Sequence, residues 1–160
     1  MPVLRPALLA GAALVLSACA ASRQPADTTT TLPQQAQSVT QVVRWSASLG
    51  SEAGGSLGGT ATAVPSGTAS TAVAVSLTGA APGGVHPWHI HSGRCGDNGP
   101  IVGPPSAYPP LTVGADGMAA VNATVPVPTP VSGNFYVNVH RSATEMGAIV
   151  ACGNLAMTTR

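Results

Sequence analysis

The chain has 160 residues, of which only 7% are charged, and its six basic residues are all arginines against five acidic residues. So sparse a positive charge excludes a basic surface that holds nucleic acid through its phosphates. With 19 glycines, 15 prolines and 3% aromatic residues, the core is expected to consist of valine, alanine, leucine, isoleucine and threonine. That composition suits short strands and turns better than helices.

The first residues predict a targeting segment. Arg5 precedes an apolar run over residues 7–16, which is too short to span a bilayer as a mature helix. The run ends in LSAC at residues 16–19, which resembles the lipobox of bacterial lipoproteins. That resemblance implies that residues 1–18 are a removed signal peptide and that acylated Cys19 anchors the protein in the cell envelope, on a periplasmic face or at the cell surface. The alternative is an ordinary secretory signal with a chance cysteine.

The segment after Cys19, ASRQPADTTTTLPQQAQSVT, is polar and rich in threonine and glutamine, with two prolines and no periodicity. Such a composition predicts a flexible tether. We therefore assign residues 19–39 to the lipidated cysteine and tether, and residues 40–160 to a folded domain.

Beyond residue 40 the sequence alternates between apolar and polar side chains. In STAVAVSLTG, for example, Thr71, Val73, Val75 and Leu77 share one face. Turn residues separate about eight such runs, and none has a helical period, which predicts an all-β antiparallel sandwich or barrel. The predicted strands cover residues 42–49, 59–64, 70–79, 85–91, 111–113, 118–125, 134–140 and 148–157.

The three cysteines suggest one disulfide. If Cys19 carries lipid, Cys95 and Cys152 remain as an even pair in an exported, oxidising compartment. We expect them to be bonded to each other, and the alternative is two free buried thiols.

Three of the four histidines lie in one segment, VHPWHIH. His89 and His91 are two residues apart, so in an extended strand they point to one side. In a regular strand His86 points to the opposite side from His89 and His91, so it is interpreted as structural. A bulge at Pro87 would invalidate this argument. His140 ends a later strand. A pair of histidines on one strand with a third from another is a common way to build an imidazole metal site.

Three blocks of the sequence resemble the Cu/Zn superoxide dismutases, over roughly residues 40 to 157. GGVHPWHIHSGRC is similar to that family's copper-ligand strand, which precedes its disulfide cysteine. YVNVHRSA looks like the strand that brings another copper-binding histidine, and AIVACGNL resembles the closing strand with the second cysteine. The resemblance implies a Greek-key β-sandwich, or flattened eight-stranded barrel, of the Cu/Zn superoxide dismutase type.

The same resemblance implies a role for each matching residue. His89, His91 and His140 match copper ligands, and His86 matches a histidine that supports the site without binding the metal. Cys95 and Cys152 match the disulfide. The copper of such enzymes alternates between two oxidation states as superoxide is dismutated.

The sequence departs from that family at the zinc site. Where the family has a bridging histidine in Gly-Pro-His, this chain has Gly99-Pro100-Ile101. All four histidines are already assigned, so we expect copper without zinc. The loop after His140 is short, and Ile149 stands where the family has an anion-binding arginine. We therefore expect the chain to lack the charged groups that usually attract superoxide to the copper site.

The short loop and the YVNVH block also resemble the chordin-type domain, a sandwich with no established redox role. Three hypotheses follow: a copper-dependent superoxide dismutase, a non-enzymatic lipoprotein that sequesters or passes on copper, and a metal-free interaction module of chordin type. A hydrolytic zinc site with Asp97 as its base is a further alternative. The expected partners are the membrane, through the lipid, and superoxide or a copper ion; the sequence does not predict the oligomeric state.

Overall fold

The computed structural model describes residues 42–159, so the predicted signal peptide, Cys19 and the tether lie outside the described residues. Within this range the chain forms nine strands and one short 3-10 turn at Pro105–Ala107, with no α-helix. No helix in this range could cross a membrane. The strands are β1 (Val43–Ser51), β2 (Gly58–Pro65), β3 (Thr71–Thr78), β4 (Val85–His86), β5 (Trp88–Ser92), β6 (Leu111–Thr112), β7 (Ala119–Val125), β8 (Phe135–His140) and β9 (Ile149–Thr159).

Seven strands form one antiparallel sheet in the order β5-β8-β9-β1-β2-β3-β7, and β4 pairs with β6 in a second, two-stranded sheet. The last strand, β9, lies beside β1 of the β1-β2-β3 meander, so the two ends of the described chain are neighbours in the sheet. Trp88 from one end of the large sheet and Val125 from the other belong to the same buried cluster. The sheet therefore closes around one core, and the prediction of an all-β sandwich or barrel is confirmed.

Alternation along the strands explains which side chains build this core. On β3, Thr71, Val73, Val75 and Leu77 are buried, whereas the side chains between them are partly or fully exposed. On β1, Trp45, Ala47 and Leu49 face the same interior. One face of each strand is thus apolar and buried, as the period of two predicts.

Pro87 divides the predicted strand 85–91 into two. His86 lies on β4, opposite Leu111 of β6, whereas His89 and His91 lie on β5 of the large sheet. A proline cannot donate to a ladder, so the strand changes partners at this residue. The parity argument for His86 therefore does not apply, because the backbone is not one regular strand across Pro87.

The strands β5 and β8 are buried on both faces. Trp88 and Ile90 of β5, with Val137 and Val139 of β8, point into the apolar core. The alternate side chains point to the opposite face, which loops cover. This second buried face carries the histidines.

Candidate metal centre

The register of β5 and β8 brings three histidines to the same face of the sheet. His89 lies opposite Asn138 and His91 lies opposite Tyr136. His140 follows Asn138 by two residues on β8, so its side chain also leaves the sheet on that face. The structure therefore assembles His89, His91 and His140 from two neighbouring strands.

These three imidazoles are close together and shielded from solvent. One ring nitrogen from each lies within 4.8 Å of those of the other two, and no other group of three or more potential ligands occurs in residues 42–159. The Nδ1 atom of His89 is 3.2 Å from the Nε2 atom of His140. The exposed fractions of His89, His91 and His140 are 6%, 9% and 5%. A cluster of this size and burial can hold one metal ion.

Backbone carbonyls fix the protonation of two of the rings. Nδ1 of His91 donates to the carbonyl of Gly99 over 2.7 Å, and Nδ1 of His140 donates to the carbonyl of Met146 over 2.5 Å. Because a carbonyl only accepts, each Nδ1 carries the proton and each Nε2 carries a lone pair in the neutral ring. Nε2 of His91 is buried and has no hydrogen-bond partner. Such second hydrogen bonds are typical of histidines that bind metals.

The cluster favours neutral imidazoles. The pKa of His89 falls from 6.5 to about 4, chiefly because of burial and in addition because of the neighbouring His140 and His91. Burial also lowers the pKa of His140. Both rings are therefore unprotonated near neutral pH, which is the form that binds a metal ion.

The fourth histidine, His86, is buried beside this cluster without joining it. Its Nδ1 atom donates to the backbone carbonyl of His140 over 3.0 Å. Its Nε2 atom is buried without a hydrogen-bond partner and lies close to Gly84. His86 thus contacts the end of β8 that carries His140, and its ring nitrogens are outside the group of three.

A loop of residues 93–99, here called the strap, covers part of the same face. Cys95 forms a disulfide with Cys152 of β9, as expected from the sequence. The backbone N–H of Cys95 donates to Oδ1 of Asn154 over 2.9 Å, and that of Gly93 donates to the carbonyl of Asn134 over 2.8 Å. The strap is therefore attached to both β8 and β9.

The charged side chains of the strap hydrogen-bond to the strap itself and to Asn134. Oδ2 of Asp97 accepts from the backbone N–H of Arg94 over 2.8 Å. The Arg94 guanidinium donates to Oδ1 of Asn134 over 3.2 Å. Asp97 is outside the histidine cluster, so the structure does not place it as the base of a hydrolytic zinc site.

Two tyrosines that the sequence analysis did not single out also contact the histidines. The ring of Tyr136 stacks on His91, with centroids 5.2 Å apart, and Tyr108 meets His89 edge-on at 5.3 Å. Burial raises the pKa of Tyr108 to about 12, so its phenol stays protonated. For Tyr136 a signal was available, because it shares the parity of His140 along FYVNVH. Tyr108 lies in a proline-rich loop and has no periodic signal.

The comparison with known families decides between the two resemblances. The model of the CHRD domain matches residues 29–150 of this chain. The chain belongs to the CHRD domain family. The match supports the chordin-type resemblance and not the dismutase one, and it begins inside the predicted tether. No curated protein matches the chain.

Proposed function

We propose that this CHRD domain binds one copper ion through His89, His91 and His140. The observation that carries the proposal is the buried Nε2 atom of His91, which has no hydrogen-bond partner, on a histidine that offers a ring nitrogen within 4.8 Å of ring nitrogens of His89 and His140. An unpaired buried polar group costs about 1–3 kcal/mol. A metal ion shared by the three nitrogens removes that cost.

The kind of ligand supports copper. Imidazole nitrogen suits copper, zinc, iron and nickel, whereas magnesium and calcium require oxygen ligands. Among divalent ions of the first transition row, copper binds such sites most tightly. The group contains no carboxylate or thiolate within the described residues, so a buried dication has no neutralising partner there. Because the cost of burying charge rises with that charge, these neutral ligands also suit monovalent copper.

One contact favours a second candidate function, a metal-free interaction module. Nδ1 of His89 and Nε2 of His140 lie 3.2 Å apart and can hydrogen-bond to each other without an ion. In that case the histidines form a polar layer under the strap, and the CHRD match supports an interaction module that works without a metal. The unpaired Nε2 of His91 is the feature that this alternative leaves unexplained.

Copper titration of the purified, metal-free full chain tests the proposal. We expect one ion per chain, and we expect His91→Ala to lose it because the substitution removes one of three ligands. His86→Ala is the matched control: it also removes a buried histidine, but one outside the group. Circular dichroism checks that both variants fold.

Other outcomes of the same titration would contradict copper binding by the three histidines. A wild-type chain that takes up no copper, or a folded His91→Ala chain that still binds one ion with unchanged affinity, contradicts the proposal and favours the metal-free module. Loss of the ion from His86→Ala alone places the site elsewhere.

The proposed setting follows from the sequence. The LSAC motif at residues 16–19 supports a lipoprotein anchored in the bacterial cell envelope. There the domain holds copper outside the cytoplasm, either to sequester it or to pass it on. Turnover of superoxide by the bound copper is a separate activity.

A further inference from the structure

Tyr136 occupies the position on β8 directly opposite His91, on the face that carries the histidines. Its side chain is fully buried, and its ring lies nearly parallel to that of His91, with an angle of 20° between the planes. Its hydroxyl oxygen accepts a hydrogen bond of 2.9 Å from the backbone N–H of Gly99. Tyr136 therefore touches both a proposed ligand and the end of the strap.

Gly99 links the tyrosine to the histidine. Its N–H donates to Tyr136, and its carbonyl accepts from Nδ1 of His91 over 2.7 Å. A Cβ atom at this position would lie 1.7 Å from the carbonyl oxygen of Ser92, so only glycine fits between β5 and the phenol. The backbone around Gly99 is thus held from one side by the end of β5 and from the other by Tyr136.

We infer that Tyr136 is a positioning residue for the metal centre: through Gly99 it fixes the protonation and orientation of His91. This inference rests on the proposed function. The carbonyl of Gly99 keeps the proton of His91 on Nδ1, and this leaves the lone pair on Nε2. If Gly99 moves, Nδ1 loses its acceptor, and the proton can shift to Nε2 and block the ligand atom.

Tyr108 provides a matched comparison within the same site. It is also buried, its ring contacts His89, and its hydroxyl donates to the carbonyl of Val102 over 2.5 Å. Val102 does not hydrogen-bond to any of the histidine rings. Removing either hydroxyl therefore deletes one buried hydrogen bond beside the cluster, but only the hydroxyl of Tyr136 is connected to the proton of a ligand.

The test compares Tyr136→Phe with Tyr108→Phe in the full chain. Nitrogen-15 NMR of the metal-free protein reports which ring nitrogen of His91 is protonated. We expect the Nδ1–H form in the wild type and in Tyr108→Phe, and a mixture of both forms in Tyr136→Phe. Competition titration with a copper chelator is expected to show at least about tenfold weaker binding for Tyr136→Phe and unchanged binding for Tyr108→Phe.

A general loss of stability would weaken both variants alike, so equal protonation of His91 and equal copper affinity in the two variants overturn the inference. If Tyr136→Phe does not fold, hydrogen exchange in the wild type decides: the Gly99 amide proton must exchange slowly, and exchange at the rate of an open loop overturns the inference. A wild-type chain that binds no copper refutes the proposed function, whereas the protonation of His91 still tests the role of Tyr136.

Discussion

At the scale of single residues, the histidine cluster is built to remain uncharged. Its three rings occupy a face with little access to water, and a proton on one ring makes protonation of the neighbouring rings less favourable. Burial is the larger cause of the lowered pKa of His89, and the neighbouring rings add to it. The same arrangement that keeps lone pairs available for a metal ion therefore makes the metal-free domain sensitive to acid.

The free energy of unfolding of the metal-free chain is expected to fall as the pH is lowered from about 6.5 towards 4. The pKa of His89 is about 4 in the folded state against 6.5 in the unfolded chain. The unfolded chain therefore binds more protons in this pH window, and this proton binding favours the unfolded state over the folded one. Urea denaturation at several pH values measures the effect. We expect a smaller fall for His89→Gln, and a stability that stays constant across the window would contradict the lowered pKa.

At the scale of structural elements, the strap, held by the disulfide, covers part of the outer face of the sheet and shields the side chains on it from solvent. Cys95 and Cys152 are 57 residues apart in sequence, and their bond joins the strap to β9. Tyr136 and Asn138, which lie on this face of β8, are buried. A strand pair with two covered faces can place polar groups on one face while the other builds the apolar core.

Removal of the disulfide by Cys95→Ala with Cys152→Ala is expected to lower the free energy of unfolding by about 4 kcal/mol, because the unfolded chain is no longer constrained over this long loop. Chemical denaturation of the wild type and the double variant measures the difference. A reducing agent serves as the control: it should destabilise the wild type by a similar amount and leave the double variant unchanged. A double variant as stable as the oxidised wild type would show that the bond contributes nothing.

The elements differ in how far the sequence determines them. Alternation predicted the strands closely, because one face of each strand must be apolar; the segment 118–125, for instance, became β7 at Ala119–Val125. The common side of His89 and His91 also follows from spacing alone. The proximity of His140 was predicted from the usual construction of imidazole metal sites and from a resemblance, since no local pattern encodes which strands pair. The contact between Gly99 and Tyr136 depends on the path of the strap, which glycine and proline content does not specify.

At the scale of the whole molecule, charged groups are few. The complete chain carries six basic and five acidic residues. Arg94, the basic residue of the strap, donates to Asn134. Ile149 occupies the position at which the Cu/Zn superoxide dismutases, in the resemblance described above, have an anion-binding arginine. A surface with so few charges produces little field to attract a small anion towards the histidines.

We therefore expect the copper-loaded chain to consume superoxide far below the diffusion limit, at a rate that does not decrease as salt is raised from about 10 to 150 mM, because screening acts only on charges that steer the anion. Stopped-flow decay of superoxide measures the rate, with His140→Ala as the control for copper free in solution. Fast consumption that declines steeply with salt would contradict this expectation and support a dismutase.

The proposed ligands His89 and His140 are 51 positions apart, and they meet only when β5 pairs with β8. During synthesis, His89 and His91 are incorporated well before His140, so a chain that is still being synthesised lacks the complete group of three histidines. Under the proposed function, the complete centre is therefore loaded after folding. If the polypeptide is exported unfolded, it travels without its ion, and the compartment in which it folds, rather than the one in which it is made, selects the metal it acquires.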